Sequence, residues 1–319
     1  MTTYKEIFGK YVKNYSSDPS SDIEGQIWYN TTSGTFKTNL NLGAAWAAGG
    51  NLGTARYLLA GAGLQTSGLG FGGYTNVAKN NTEEYDGSAW TAGGNLATAR
   101  YGLAGAGTQT AGLAFAGYTT AASNATEEYD GSAWTGGGNL NTARYYGTGT
   151  GTQTAGLGFG GYTTTYSNTT EEYDGSAWTA GGNMGTARSY LAGCGIQTAG
   201  LVFGGNTGTN SSATEEYDGS AWTAGGSLNT ARRGLVGAGT QTEGLAFGGR
   251  TTVQVANTEE YNGTSWIAGA ILSTARSGLG GDGTQTAGLA FGGNTGTTFV
   301  ANTEEYTDPT FLTKTITTS

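Results

Sequence analysis

Thr82-Glu83-Glu84-Tyr85-Asp86-Gly87-Ser88-Ala89-Trp90-Thr91-Ala92-Gly93-Gly94-Asn95-Leu96-Ala97-Thr98-Ala99-Arg100 recurs, little changed, along most of the 319-residue chain. Its tryptophan returns every 44 residues as Trp46, Trp90, Trp134, Trp178, Trp222 and Trp266. Its arginine keeps the same step as Arg56, Arg100, Arg144, Arg188, Arg232 and Arg276. The Glu-Glu-Tyr element ends at Tyr85, Tyr129, Tyr173, Tyr217, Tyr261 and Tyr306, with one residue inserted before the last. Six copies of one unit make this a repeat protein, in which each unit buries its apolar face against its neighbours.

Turn signals divide each unit into four short segments. From Arg100 these are Tyr101 to Ala106, Leu113 to Phe115, Thr126 to Tyr129, and Ser132 to Trp134. Asp130-Gly131 between the last two is a hairpin signal, and it predicts a tight primed turn with positive φ at both central residues. No segment has helical length or period, and 61 glycines would weaken any helix. The unit is therefore expected to form four strands, a to d. Six four-stranded antiparallel units fit an all-β, six-bladed β-propeller. A β-solenoid is the alternative. In a propeller the Gly/Ala-rich strand a, such as Leu191-Ala192-Gly193-Cys194-Gly195, would lie nearest the axis. Tyr and Trp on strands c and d would fill the wider space between outer parts of the blades.

The order Phe-Gly-Gly, variable loop, Glu-Glu-Tyr-Asp, Trp, Thr-Ala-Arg resembles the kelch repeat over roughly residues 43 to 312, with Ala116-Gly117 the one departure from Gly-Gly. That resemblance implies a propeller and, most often, a binding role. We assign residues 43–319 to the propeller with a C-terminal strand or tail, and 1–42 to an N-terminal attachment segment. Two strands could complete the last blade. Trp46 stands in repeat register, and Pro309 to Thr315 is the other candidate; the Trp46 closure is favoured.

The N-terminal segment differs from the repeats. Thr3 to Tyr15 mixes Tyr4, Ile7, Phe8, Tyr11 and Val12 with lysines, as a short amphipathic helix would. Ser16 to Asp22 reads as a linker, and Gly25 to Lys37 as a β-hairpin. The phrases Ile27-Trp28-Tyr29-Asn30 and Gly34-Thr35-Phe36-Lys37 resemble the head ends of bacteriophage structural and tail-fibre proteins. Gly/Thr/Asn-rich kelch arrays of this style look like those of phages infecting marine bacteria. A plain N-terminal cap on the propeller is the simpler alternative.

Composition excludes several functions. A net charge of −9 with no basic stripe argues against nucleic-acid binding. No apolar run has membrane-spanning length, and the N-terminus lacks the order of a secretory signal. The lone Cys194 is expected to fill space near the axis. The chain has no histidine, which removes Ser-His-Asp and Cys-His nucleophiles. A zinc site lacks ligands. The copper centre of galactose oxidase, an enzyme associated with kelch propellers, would need histidines as well. Adjacent glutamates on a strand point to opposite faces, so Glu83 and Glu84 are not a catalytic pair. Repeated Arg–Glu ion pairs are expected, against the alternative of an arginine ring holding an anion at a channel mouth. No catalytic residue, metal or cofactor is assigned.

The copies differ mainly in the b–c loop. The positions that would face a ligand there are Tyr74, Asn76, Lys79, Tyr118, Tyr162, Tyr166, Asn206, Asn210, Arg250, Gln254, Asn294 and Phe299. The residues just after each arginine differ too, from Tyr57 and Tyr101 to Arg233 and Ser277. Tyr, Asn, Thr and Ser on a rigid scaffold suit polar, planar ligands such as sugars. Neutral drift in tolerant loops is the other reading. The expectation is a non-enzymatic virion protein, made in the host cytoplasm and located on the phage tail or capsid surface. Residues 1–42 would bind other virion proteins, and the b–c loop face would bind a host surface glycan or protein. A capsid-decorating protein and a kelch-type protein-binding adaptor are the alternatives, and a homo-oligomer stays open.

Overall fold

The computed structural model describes residues 12–17, 27–40, 43–308 and 312–315. All regular structure among them is β-strand. They fall into two compact units, one comprising Ala45–Thr307 and the other drawn from Met1–Ala44 and Asp308–Ser319.

The larger unit holds six four-stranded antiparallel sheets, each in the order a-b-c-d, with a propeller-like blade pattern. The first comprises Ala60–Leu64, Ser67–Phe71, Thr82–Tyr85 and Trp90–Ala92. The sixth takes its outer strand from the start of the unit. Ala45–Ala48 pairs antiparallel with Thr303–Thr307, setting Trp46 opposite Tyr306 as Trp90 stands opposite Tyr85. Of the two candidate strands, it is thus the favoured Trp46 strand that pairs with the last sheet.

Each a strand neighbours the next, and the sixth, Gly280–Gly283, neighbours the first. Such close approach explains the glycines: a Cβ on Gly105 would lie 2.4 Å from the Gly61 carbonyl oxygen. Between sheets, the b-strand phenylalanine of one packs on the tryptophan of the next. Phe71–Trp134 centroids are 4.9 Å apart, and Phe291 meets Trp90 at 4.7 Å between the sixth and first sheets. Leu69, Phe71, Tyr129 and Trp134 are buried together in one such core. The expected aromatic core between sheets is present.

The Asp-Gly hairpins exist, but not with the predicted primed turn. Four residues, Asp86 to Ala89, link strands c and d. Of the first two, only Gly87 has positive φ, at 90°. Asp86 Oδ1 instead accepts from the Ser88 and Ala89 N–H groups, each at 2.8 Å. The side chain thus closes the loop without a second left-handed residue.

The smaller unit is a four-stranded mixed sheet. Lys13–Tyr15 runs parallel to Ile27–Asn30, which forms the expected hairpin with Thr35–Leu40. Residues 13–15 are therefore strand, where a helix over Thr3 to Tyr15 was expected; the rest of that helix lies outside the described residues. Leu312–Thr315, assigned from the sequence to the propeller, pairs instead with Thr35–Leu40. With Trp46 already on the edge of the sixth sheet, that position is taken.

Candidate functional site

The charges repeated in every copy are consumed by structure. Arg100 is fully buried and bonds Glu127 Oε1 at 3.0 Å, the Ala116 carbonyl at 3.1 Å and the Ala125 carbonyl at 2.8 Å. The other oxygen of Glu127 accepts from the Ala97 N–H at 2.7 Å. An equivalent Arg–Glu pair stands in each of the six sheets of the larger unit, from Arg56–Glu83 at 2.6 Å to Arg276–Glu304 at 3.0 Å. Burial pushes the Arg100 guanidinium below its usual pKa, and Glu127 opposes that shift. No arginine of this series is open to an anion, so the channel-mouth alternative fails.

The second glutamate of each pair reaches the neighbouring sheet. Glu84 accepts from the Tyr129 hydroxyl at 2.5 Å, and Glu305 accepts from Tyr85 at 2.5 Å between the sixth and first sheets. Burial, reinforced by Glu84, pushes the Tyr129 phenol up to about 12. Each of the six repeat tryptophans also donates to a threonine one sheet back, as Trp134 does to Thr82 Oγ1 at 2.9 Å. The two glutamates do point to opposite faces, and all twelve are engaged in these contacts. No cluster of three or more potential metal ligands occurs among the described residues.

The b–c loops are different. Their turn hydrogen bond repeats: Thr75, Thr119, Thr163, Thr207 and Thr251 each donate N–H to the carbonyl two residues on, at 2.9–3.1 Å. The sixth loop, one residue longer, bonds Thr295 to Thr298. The residue after each Gly-Gly position is bridged to the residue after each arginine, giving Tyr57–Tyr74, Tyr101–Tyr118, Tyr145–Tyr162, Ser189–Asn206, Arg233–Arg250 and Ser277–Asn294. The bridges and the turn hydrogen bond thus repeat beneath differing side chains, while the loop tip varies: Asn76, Gly208 and Gly296 have positive φ, and Thr120, Thr164 and Thr252 do not.

Beside these pairs, six residues form a cycle of backbone hydrogen bonds. Gly102 donates to Leu58, Tyr146 to Gly102, Tyr190 to Tyr146, Gly234 to Tyr190, Gly278 to Gly234, and Leu58 to Gly278, at 2.6–2.8 Å. All six have positive φ, between 52° and 62°. Such a conformation suits glycine and is strained for Leu58, Tyr146 and Tyr190. Below the cycle, a cavity of about 180 Å³ is lined by residues of all six a strands, Cys194 and Asp282 among them. Cys194 is buried, as expected. Enclosure raises the Asp282 carboxyl to about 7, against hydrogen bonds from the Gly283 and Gly63 N–H groups.

Most of the expected ligand residues fall into two groups. Phe299, Tyr74, Tyr118, Tyr162 and Tyr166 join Tyr57, Tyr101 and Tyr145 in an aromatic arc with successive centroids 4.6–5.7 Å apart. Asn206, Arg250, Gln254 and Asn294 line a depression of about 370 Å³ with Tyr57, Tyr190, Arg233 and Ser277. Asn210 lies at its edge, accepting from Arg233 Nη1 at 3.2 Å. Asn76, exposed at its loop tip, and Lys79 belong to neither group. Arg233, Tyr190 and Ser277 vary visibly between repeats; a propeller would place them on the b–c loop face, and the bridges of Arg233 and Ser277 and the shared depression show which loop residues they meet. No protein-family model matches the chain, and a search of curated proteins finds no match.

Proposed function

We propose that this chain is a non-enzymatic, six-bladed, kelch-type β-propeller carried on a bacteriophage virion, in a tail fibre or tail-associated appendage. The N-terminal segment attaches it to other virion proteins, and the b–c loop face contacts a host surface glycan or protein. Support for the propeller comes from the bonds between the sixth and first sheets, which repeat those between all the others. Support for the virion comes from the motifs around Ile27 to Lys37 and from the style of the Gly/Thr/Asn-rich array.

The observation that carries the recognition role is the recurrence of the bridges at the base of every b–c loop beneath differing side chains. Neutral drift in loops that tolerate anything would be expected to disturb these bridges as well as the side chains they carry. Tyrosines supply flat apolar area at low entropic cost, and Asn, Ser and Gln supply adaptable hydrogen bonds. The test is selective binding of the labelled protein to a panel of marine bacteria. A companion variant carries the Asn206 to Ser212 sequence in all six loops. Selective binding that disappears in the variant is the expected result; equal binding by both proteins, or by neither, would remove the recognition role.

A further inference from the structure

The chain has 14 lysines and arginines, six of which are the buried repeat arginines. Between Ala45 and Thr307 the only others are Lys79, Arg233 and Arg250. Two of these three are placed directly opposite each other. Arg233 N–H donates to the Arg250 carbonyl at 3.1 Å, and Arg250 N–H donates back at 2.8 Å. Like charges facing across an antiparallel pair are destabilising. The same two positions are uncharged in the other five repeats.

Neither guanidinium has a carboxylate within ion-pair distance among the described residues. Their hydrogen bonds are to neutral groups, Arg233 to Asn210 Oδ1 at 3.2 Å and Arg250 to the Thr252 carbonyl at 3.5 Å. Both line the 370 Å³ depression. That depression sits where the backbone cycle carries Gly234 and Gly278, without the side chains that Tyr146 and Tyr190 bring to the same position. A protein of net charge −9 thus gathers two unneutralised cations in one concave site.

We propose that this depression binds an acidic saccharide through its carboxylate. Arg233 and Arg250 would take the carboxylate, for which the planar guanidinium fork is suited. Asn206, Gln254, Ser277 and Asn294 would meet ring hydroxyls, and Tyr57 or Tyr190 would cover an apolar ring face. The proposal rests on the b–c loop face being a recognition surface, and it names the ligand class at one place on it.

Calorimetric titration of the full chain tests this with three probes: a glucuronate-containing trisaccharide, the same trisaccharide with its carboxyl reduced to an alcohol, and sodium acetate. The acidic trisaccharide is expected to bind at least about tenfold more tightly than the reduced one, and acetate far more weakly than either. Arg233→Gln and Arg250→Gln should each weaken the acidic ligand by about tenfold, while Glu243→Gln, at an exposed position that does not line the depression, leaves it unchanged. Thermal melts of the variants establish that each remains folded. Equal affinity for the acidic and reduced sugars, acetate competing as well as the sugar, or unchanged binding by both arginine variants would overturn the proposal. If the reduced sugar binds as tightly, or if bacteria are bound only through the tyrosine arc, the acidic pocket falls while the recognition face stands. Loss of bacterial binding altogether would take both.

Discussion

The c strands and the b–c loops lie in the same repeats, yet they use sixfold repetition in opposite ways. In the c strands every copy makes the same contacts: one glutamate to a buried arginine of its own sheet, the other to a tyrosine of the next. In the b–c loops only the bridges at the base and the turn hydrogen bond repeat, and the side chains run from an aromatic arc to a cationic depression. The difference teaches where constraint acts. A buried charge must find its partner in each copy, because an unpaired one is costly. An exposed side chain on a fixed turn has no such obligation.

The largest effect should come from breaking one buried pair. Glu215→Ala strands Arg188 without its carboxylate and should cost about 3–5 kcal/mol in a denaturant melt. Arg188→Met combined with Glu215→Leu should cost clearly less, since no buried charge remains. Equal losses in the single and double variants would mean that packing, not charge, dominates the site.

Tyr173→Phe removes the hydroxyl that Glu128 accepts from in the neighbouring sheet. The loss should be about 2 kcal/mol, the range for a hydrogen bond to a charged group. Tyr217→Phe should cost the same, because its contact with Glu172 is the same; unequal losses would show that the sheets are not energetically equivalent.

Asp282 breaks the symmetry of the interior, standing where other a strands carry Ala62, Ala106 and Ala238. Its carboxyl ionises at its ordinary 3.8 in the unfolded chain and at about 7 when folded. Between those values the folded state holds the proton more tightly, so stability falls as pH rises from about 4 to about 7 and is level above. Asp282→Ala should therefore raise stability by about 1–2 kcal/mol at pH 8, an effect reduced by access from the cavity, and by almost nothing at pH 4. Melting temperatures of both proteins across that range check it. A variant that is no more stable at pH 8 would contradict the assignment.

The smallest effect belongs to the face. Tyr166→Ser, at one end of the aromatic arc, should change stability by no more than about 0.5 kcal/mol. A loss as large as that of Tyr173→Phe would show that the arc is scaffold rather than recognition surface.

The sequence by itself determined everything that repeats locally: the 44-residue unit, its four strands, the hairpin at Asp86-Gly87, the Gly/Ala inner strand and the opposite orientations of Glu83 and Glu84. These follow from period, turn chemistry and side-chain alternation within one copy. Even there, the geometry of the c–d loop escaped it, because an Asp side chain can replace the second left-handed residue of a primed turn. Only the tertiary structure decided which groups meet across copies. Glu84 finds Tyr129 one sheet on, Arg233 faces Arg250, and Leu312–Thr315 joins Thr35–Leu40 rather than the sixth sheet. Such meetings depend on how sheets stack and how strands compete for one edge. No local pattern of residues encodes that.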